Sequence, residues 1–188
     1  EIDNCARRGI FIYAPAYRPS QNVIRGNRIS NLTVTRGGGT RTDHYGISVY
    51  SGEGNLVHNN VITNVVGNGI TVDLEAKNTQ VFHNTVVGMK GPLGRGIQLT
   101  TTGLDTRGHN NLFWLVDGAP ILDQGVNTTF SNNLCADAEC EVTGAPSFVD
   151  EALGDFRLGP DSPAIDTGVA LAEVTNDVLG LARPQGQG

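Results

Sequence analysis

The chain has 188 residues, a formal net charge of −6 at pH 7, 25 glycines and only 6% aromatic residues. This length fits one domain, and abundant glycine with few aromatics favours tight corners around a single narrow aliphatic core. The sequence has no basic run or stripe, which argues against a nucleic-acid partner, and its apolar stretches are too short and interrupted to predict a membrane span or a signal peptide.

One phrase, an apolar strand followed by an asparagine and a second apolar pair, returns five times along the chain. A fixed phrase at a period of roughly two dozen residues is typical of a solenoid. We expect each asparagine to point inward, to bond the open backbone groups of a corner and to stack on its equivalents as an asparagine ladder. The asparagines are Asn27, Asn60, Asn84, Asn111 and Asn133.

A second phrase, a glycine followed by a short alternating strand, keeps step with the asparagines at residues 9–13, 46–50, 69–73 and 96–100. We expect the glycines to supply the backbone freedom of a sharp corner. The alternation predicts stacked parallel strands with one face in the core. The inward set is Ile10, Ile12, Ile47, Val49, Ile70, Val72, Ile97 and Leu99, and the outward set is Phe11, Tyr13, Ser48, Tyr50, Thr71, Asp73, Gln98 and Thr100.

Two long corners, residues 32–45 and 89–95, each precede one of these strands, so we expect them to flank the strand 69–75 between them. Residues 1–158 are predicted to form the coils, and residues 159–188 an irregular tail on the last coil, with one or two helical turns at 168–174. Neither end of the sequence carries a cap of the kind that solenoids need. We therefore expect a piece of a longer protein, truncated at both ends, or an end-to-end homo-oligomer through the exposed end coils.

These repeats resemble the right-handed parallel β-helix superfamily of pectate lyases, polygalacturonases, other polysaccharide lyases and phage tailspikes. The closing passage is similar to that of secreted bacterial β-helix repeat proteins, in Asn132-Asn-Leu134, Ala145-Pro-Ser-Phe148, Gly154-Asp-Phe-Arg-Leu158 and Ser162-Pro-Ala-Ile-Asp166. The resemblance implies an all-β fold, a single-stranded right-handed parallel β-helix of about five or six coils. It also implies a bacterial protein that is secreted or held at the cell surface. Fold alone says little about chemistry, because members of this superfamily differ in activity.

The three cysteines leave the redox compartment open. Cys135 and Cys140 bracket a four-residue loop. This spacing suits either a small disulfide, which would imply an oxidising compartment, or two free thiols. Cys5 has no obvious partner and fits either a buried small apolar residue or a position facing an upstream coil.

Two carboxylates follow each other on the outward side of the central strand. Asp73 and Glu75 are same-face positions about 6.6 Å apart along the backbone. That spacing permits the acid and the nucleophile or base of a glycoside hydrolase, and it equally permits a calcium site that neutralises a uronate. An ordinary solvated acidic face is the third interpretation.

Further polar and aromatic residues are predicted around this pair. Tyr13 and Tyr50 should stack above Asp73 in one column, either as a sugar-stacking platform or as a cover of the outer sheet. Arg41 and His44 of the first long corner are expected to reach the same strand and contact a substrate. His58 and His109 are predicted to face outward two coils apart, too far to share a metal ion.

In the lyase relatives, a lysine or arginine removes the proton α to a uronate carboxyl that a cation has acidified. The resemblance therefore implies Lys77 or Arg95 as the base and calcium on Asp73 and Glu75, without an organic cofactor. The Gly-His-Gly pattern of polygalacturonases is absent. We expect a carbohydrate-interacting β-helix protein with a polysaccharide as its partner and, if it is catalytic, a polysaccharide lyase rather than a hydrolase. The alternatives are a non-catalytic structural or adhesion module and an inactive piece of a larger protein.

Overall fold

The chain winds into a right-handed parallel β-solenoid of about five turns in a computed structural model that describes residues 1–5, 7–14, 16–33 and 44–183. No helix occurs among these residues, which confirms the predicted all-β class. The strands are, in chain order, β1 Ile2–Asp3, β2 Arg8–Ile12, β3 Val23–Arg25, β4 Arg28–Leu32, β5 His44–Glu53, β6 Leu56–His58, β7 Val61–Lys77, β8 Gln80–Phe82, β9 Thr85–Lys90, β10 Ile97–Leu99, β11 Arg107–His109, β12 Leu112–Trp114, β13 Ile121–Asp123, β14 Thr129–Ser131, β15 Leu134–Cys135, β16 Val142–Thr143, β17 Phe148–Asp150 and β18 Asp155–Leu158.

The coils stack their strands into three parallel sheets. Sheet A runs β1-β4-β7-β9-β12-β15-β16, sheet B runs β2-β5-β7-β10-β13, and sheet C runs β3-β6-β8-β11-β14. The long strand β7 belongs to two of them, because its first part pairs with β4 and β9 and its second part pairs with β5 and β10. The hairpin β17–β18 is antiparallel and lies outside the three sheets.

The predicted inward residues form the core. In sheet B, Ile10, Ile47, Ile70, Ile97 and Ile121 pair in register from coil to coil, so that each isoleucine stacks on its equivalent. Those of the three middle coils have no solvent exposure, whereas Ile10 and Ile12 of the first coil are half-buried. The core is therefore a column of aliphatic side chains that is fully closed only where a coil lies on both sides.

The asparagine ladder is present over its full predicted length. Each Nδ2 donates to the Oδ1 of the next asparagine, at 2.9 Å from Asn27 to Asn60, 2.9 Å from Asn60 to Asn84, 3.0 Å from Asn84 to Asn111 and 3.0 Å from Asn111 to Asn133. The same Oδ1 atoms accept the backbone N–H of the preceding asparagine at 2.9–3.1 Å. The ladder thus satisfies backbone groups that the corner takes out of the strands.

The glycines that open the sheet B strands have a different role from the predicted one. None of Gly9, Gly46, Gly69 and Gly96 has a positive φ, so they do not provide special backbone freedom. A Cβ at Gly69 would lie 2.4 Å from Val86 Cγ1, and one at Gly96 would lie 2.2 Å from Phe113 Cδ1. These positions need glycine because sheet A side chains of the core pack directly against the backbone there.

The sharp turn instead lies one residue before each ladder asparagine. Gly26, Asn59, His83, Asn110 and Asn132 all have φ between 52° and 63°. This left-handed conformation is tolerated best by glycine and, among other residues, by asparagine, aspartate and histidine. The two residues of each Asn-Asn pair therefore have different roles. The first adopts the left-handed conformation of the turn and points outward, and the second joins the ladder.

The C-terminal segment wraps around the outside of the solenoid. The turn of the β17–β18 hairpin reaches sheet A, where Arg28 donates to the Gly154 carbonyl and lies 5.8 Å from the Phe156 ring. We predicted a tail that folds across the last coil, but the tail runs back along the stack as far as Asn59, whose Nδ2 donates to Asn176 O at 2.7 Å. The expected helical turns at 168–174 are replaced by a single turn that Val174 N closes on Leu171 O.

Cys135 and Cys140 form a disulfide, and Cys5 is free and half-buried. Within the part of the chain that the structure describes, no helix has the length and apolar character needed to span a membrane.

Candidate functional site

The outward face of sheet B carries most of the predicted site residues. The strand register orders its side chains into three columns that run along the solenoid axis. The first column contains Arg8, Tyr45 and Asn68, the second contains Phe11, Ser48, Thr71 and Gln98, and the third contains Tyr13, Tyr50, Asp73 and Thr100. We call this surface the sheet B face.

The upper half of the sheet B face is an aromatic cluster around one guanidinium. The Arg8 Cζ atom lies 4.0 Å from the Phe11 ring centroid, 5.4 Å from that of Tyr50 and 5.5 Å from that of Tyr45. Phe11 and Tyr13 stack with centroids 5.4 Å apart and an interplanar angle of 16°. Their side chains remain 38% and 48% exposed. This half of the face therefore presents flat aromatic surface and a cation to solvent.

Tyr50 connects the aromatic cluster to the acidic residue below it. Burial is the main reason why the pKa of Tyr50 is raised to about 12. The neighbouring Tyr45, which hydrogen-bonds to Tyr50, and the charge of Asp73 raise this pKa further. Arg8 acts in the opposite direction. The Tyr50 hydroxyl thus stays protonated at any physiological pH and can donate a hydrogen bond.

The lower half of the sheet B face is polar. The Asn68 Nδ2 atom lies 3.4 Å from Thr71 Oγ1 and also donates to Gln98 Oε1. Ser48 and Thr71 face outward as predicted but are 0% and 2% exposed. Among the described residues, the Ser48 hydroxyl and the Asn68 Oδ1 atom have no hydrogen-bond partner. These two polar atoms are buried beneath the face, so they do not reach a ligand on its surface.

Asp73 occupies its predicted place directly below Tyr50. Its Oδ1 atom accepts from the Thr100 hydroxyl, from Thr102 Oγ1 at 3.3 Å and from the Leu74 backbone N–H at 2.6 Å. The next residue, Leu74, has a φ of 49°, and two residues of β7 oppose Tyr50 of β5 there. This is a β-bulge, and it interrupts the alternation from which we paired Asp73 with Glu75.

The remaining predicted catalytic residues take separate positions, Glu75 and Lys77 beyond the bulge and Arg95 at the other edge of sheet B. Glu75 is exposed and forms an ion pair with Arg18 at 3.3 Å. Lys77 is exposed at the end of β7, and Arg95 lies beside Asn68, where its carbonyl accepts from Gly69 N at 2.8 Å. In the described ranges no hydrogen bond or ion pair joins Asp73, Glu75, Lys77 and Arg95 to one another.

The predicted calcium site does not gain support from this arrangement. The carboxylates of Asp73 and Glu75 have different partners, and the Asp73 oxygen that is bonded already accepts three donors. Over residues 1–33 and 44–183, apart from Ala6 and Pro15, no three His, Cys, Asp or Glu side chains lie close enough together to hold a metal ion. Calcium binding at Asp73 and Glu75 stays a prediction.

The first long corner is only partly described. Arg41, predicted to contact a substrate, lies outside the described residues. His44 opens β5 and is 1% exposed, with Nδ1 at 2.9 Å from Val66 O. Its side chain is therefore held inside the structure rather than on the sheet B face.

Sequence analysis did not single out Arg8, Phe11, Tyr45 and Asn68 as site residues. Phe11 was assigned to the outward set, and the concentration of all four tyrosines in the first 50 residues could have pointed to Tyr45, whereas Arg8 and Asn68 carry no such signal. Only the coil-to-coil register brings Arg8 next to Tyr45 and Tyr45 next to Asn68, because residues 8, 45 and 68 are not equally spaced along the chain.

Comparison with known proteins agrees with the architecture. The sequence pattern of the family described as right handed beta helix region matches residues 1–86 and, in a second overlapping match, residues 30–113. The two matches together extend over more than half of the 188 residues. The chain belongs to the right-handed β-helix family. No curated protein and no solved structure matches it significantly.

The other two sheets of this β-helix are contacted on the outside by its own C-terminal segment. Arg28 of sheet A bonds the β17–β18 hairpin, and Arg107 of sheet C pairs with Glu173 at 3.1 Å. No hydrogen bond or ion pair from the described residues 144–183 reaches a strand of sheet B. Within the described part of the chain, the C-terminal segment thus bonds residues of sheets A and C and their corners, and makes no hydrogen bond or ion pair to sheet B.

Proposed function

We propose that the sheet B face of this β-helix binds an extracellular polysaccharide. The observation that carries the proposal is the stacked, solvent-exposed pair of Phe11 and Tyr13 above a polar strip, on the sheet to which the described C-terminal segment makes no hydrogen bond or ion pair. Sugar rings have apolar C–H faces that stack on flat aromatic rings and hydroxyls that need hydrogen-bond partners.

The polar strip offers such partners directly below the rings. Thr100 and Gln98 are half-exposed, and Asp73 has one carboxylate oxygen to which no described residue donates, whereas the Tyr50 hydroxyl is already hydrogen-bonded to Tyr45. Successive coils repeat about every 4.8 Å, about the length of one sugar unit, so a chain that runs along the columns meets a new row of side chains at each residue.

Export of the protein is a second part of the proposal. The Cys135–Cys140 disulfide supports it, because disulfides persist in oxidising compartments outside the cytosol. The similarity of the closing passage to secreted bacterial proteins points in the same direction. Self-association through the exposed end coils stays a prediction, to be tested by sedimentation of the purified chain over a range of concentrations.

The binding experiment compares wild-type protein with two tyrosine variants on a panel of neutral and anionic polysaccharides. Tyr13→Ala removes half of the stacked pair and is expected to weaken binding about tenfold, corresponding to about 1.4 kcal/mol. Tyr17→Ala is the matched control, because Tyr17 is 90% exposed and lies in the turn after β2, outside the three columns. Absence of binding across the panel, or an equal loss in both variants, would contradict the proposal.

Polysaccharide lyase activity is the second candidate. Asp73 shares the sheet B face with Arg95, whose Nε atom is buried without a hydrogen-bond partner among the described residues. Incubating the same panel with and without calcium, and following both the ultraviolet absorbance of unsaturated uronides and the release of reducing ends, separates the outcomes. Lyase activity predicts absorbance that Arg95→Gln or Lys77→Gln abolishes. Reducing ends alone would indicate a hydrolase, and binding without either product would indicate a non-catalytic module.

A further inference from the structure

The outward corner residues of sheet C hold the tail in place. The Asn132 Nδ2 donates to Thr167 O at 2.8 Å, and Asn59 Nδ2 donates to Asn176 O at 2.7 Å. Between them, Asn110 bonds both backbone groups of Val169, accepting its N–H at 2.9 Å and donating to its carbonyl at 2.8 Å. We call residues 167–183 the strap. It follows a column of turn residues that the ladder leaves facing outward.

His83 is the member of this column that differs from asparagine. Arg183, at the end of the strap, donates to His83 Nδ1, and Asn110 Nδ2 lies 3.1 Å from His83 Nε2. Both neighbours of the ring are therefore donors. A neutral imidazole has a lone pair for one of them, whereas a protonated imidazolium has two N–H groups and no acceptor for either.

The charges around His83 reinforce this preference for the neutral ring. Arg183 faces it from the strap, and His58 faces it from the preceding coil, with Arg25 beside His58. The carboxylate of Asp177 interacts with Arg183, whose pKa burial lowers and this carboxylate raises, and not with His83. In the described part of the chain no carboxylate bonds His83. A proton on His83 would thus be added next to a guanidinium without a counter-charge.

We propose that the strap is an acid-released latch, in which protonation of His83 detaches residues 167–183 from sheet C. The release frees the outward side chains of Asn59, Asn110 and Asn132, which bond the docked strap. The latch is independent of polysaccharide binding, because its residues lie on sheet C and its neighbouring corner, and not on the sheet B face.

The size of the effect follows from proton linkage. Burial, and next the charge of Arg183, lower the pKa of His83 to about 3 from its ordinary value of 6.5. The docked strap therefore disfavours a proton that the released state binds near the ordinary pKa. Docking is strongest above pH 6.5 and weakens as the pH falls toward 3. Between about pH 7.5 and about pH 4.5 the population of released strap should rise on the order of 100-fold.

Hydrogen exchange of backbone amides measures this release directly, with the Val169 N–H as the reporter of docking. At about pH 4.5 we expect protection factors in residues 167–183 to fall on the order of 100-fold relative to about pH 7.5, while the core amides of β8 and β9 keep theirs. The matched variant is His83→Asn, because asparagine occupies the same left-handed position at residues 59, 110 and 132. It should retain the fold and remove most of the pH dependence, with the remainder coming from His58, whose pKa burial, Arg25 and Arg183 lower.

Three results would overturn the latch. The first is strap protection that does not change between the two pH values. The second is an unchanged pH dependence in His83→Asn, which would assign the effect to other groups. The third is loss of strap and core protection together at about pH 4.5, which would show global unfolding instead of local release.

Discussion

Replacing Asn84 with alanine tests the role of the ladder in the fold. The side chain is 1% exposed and makes four hydrogen bonds. Its Nδ2 donates to Val57 O and Asn111 Oδ1, both at 3.0 Å, and its Oδ1 accepts from Asn60 N at 3.1 Å and Asn60 Nδ2 at 2.9 Å. Asn84→Ala removes all of these bonds at the centre of the stack.

The cost depends on which partners are left unsatisfied. Asn60 Nδ2 keeps bonds to Ile24 O and His58 O, and Asn111 Oδ1 keeps the Asn84 backbone N–H. The Asn60 backbone N–H, in contrast, loses its acceptor inside the corner, and Val57 O loses a donor. A buried polar group without a partner costs about 1–3 kcal/mol, so we expect Asn84→Ala to lower the free energy of unfolding by about 3 kcal/mol.

The matched control is Asn27→Ala at the end of the same ladder. Asn27 is half-buried and only donates, to Asn60 Oδ1 at 2.9 Å and to Arg25 O at 3.1 Å, so water can replace it. This substitution should cost less than about 1 kcal/mol. Urea unfolding followed by circular dichroism gives both values, provided that the m-values agree. Equal losses in the two variants would refute the argument that buried, unsatisfied corner groups set the cost.

Two further predictions concern the packing of sheet B and the titration of Tyr50. Gly69→Ala brings a Cβ to 2.4 Å from Val86 Cγ1, and should lower the free energy of unfolding by about 2 kcal/mol through overpacking. Gly91→Ala is the control, because a Cβ there meets no atom within 4 Å and only the φ of +86° opposes it. Backbone strain alone should lower its free energy of unfolding by about 1 kcal/mol. A smaller loss of unfolding free energy in Gly69→Ala than in Gly91→Ala would rule out the packing role. In the folded protein the pKa of Tyr50 is raised from 10.0 to about 12, so the stability that this group contributes below pH 10 is lost as the pH rises toward 12. Tyr50→Phe should therefore reduce the decrease in unfolding free energy between pH 10 and pH 12. Identical slopes of unfolding free energy against pH in variant and wild type would contradict this assignment.

Part of the candidate site was predictable because parallel strands stack in register. The column of Tyr13, Tyr50 and Asp73 follows once residues 12, 49 and 72 are equivalent positions of successive coils. The separation of Glu75 from that column was not predictable, since it depends on the left-handed conformation of Leu74. Leucine carries no sequence signal for a bulge, and the alternating pattern continues past it.

The role of the strand-opening glycines was predicted wrongly for a related reason. A glycine in a sequence indicates either an unusual φ or a close approach, and these two causes leave the same pattern. At Gly96 the cause is Phe113, a residue that lies in the next coil and in another sheet. Only the packing between coils distinguishes the two.

The sequence by itself determined the repeating unit, because the inward aliphatic set and the asparagine ladder both depend on side chains at regular intervals. Periodic burial and periodic hydrogen bonding have a periodic signature, so a single chain suffices to predict them. The tertiary structure alone decided which sheets the C-terminal segment contacts, because that segment is irregular and bonds residues a hundred or more positions earlier, such as Asn59 to Asn176 and His83 to Arg183. These contacts have no periodic counterpart in the sequence of the tail itself and are set by the way the chain returns along the finished solenoid.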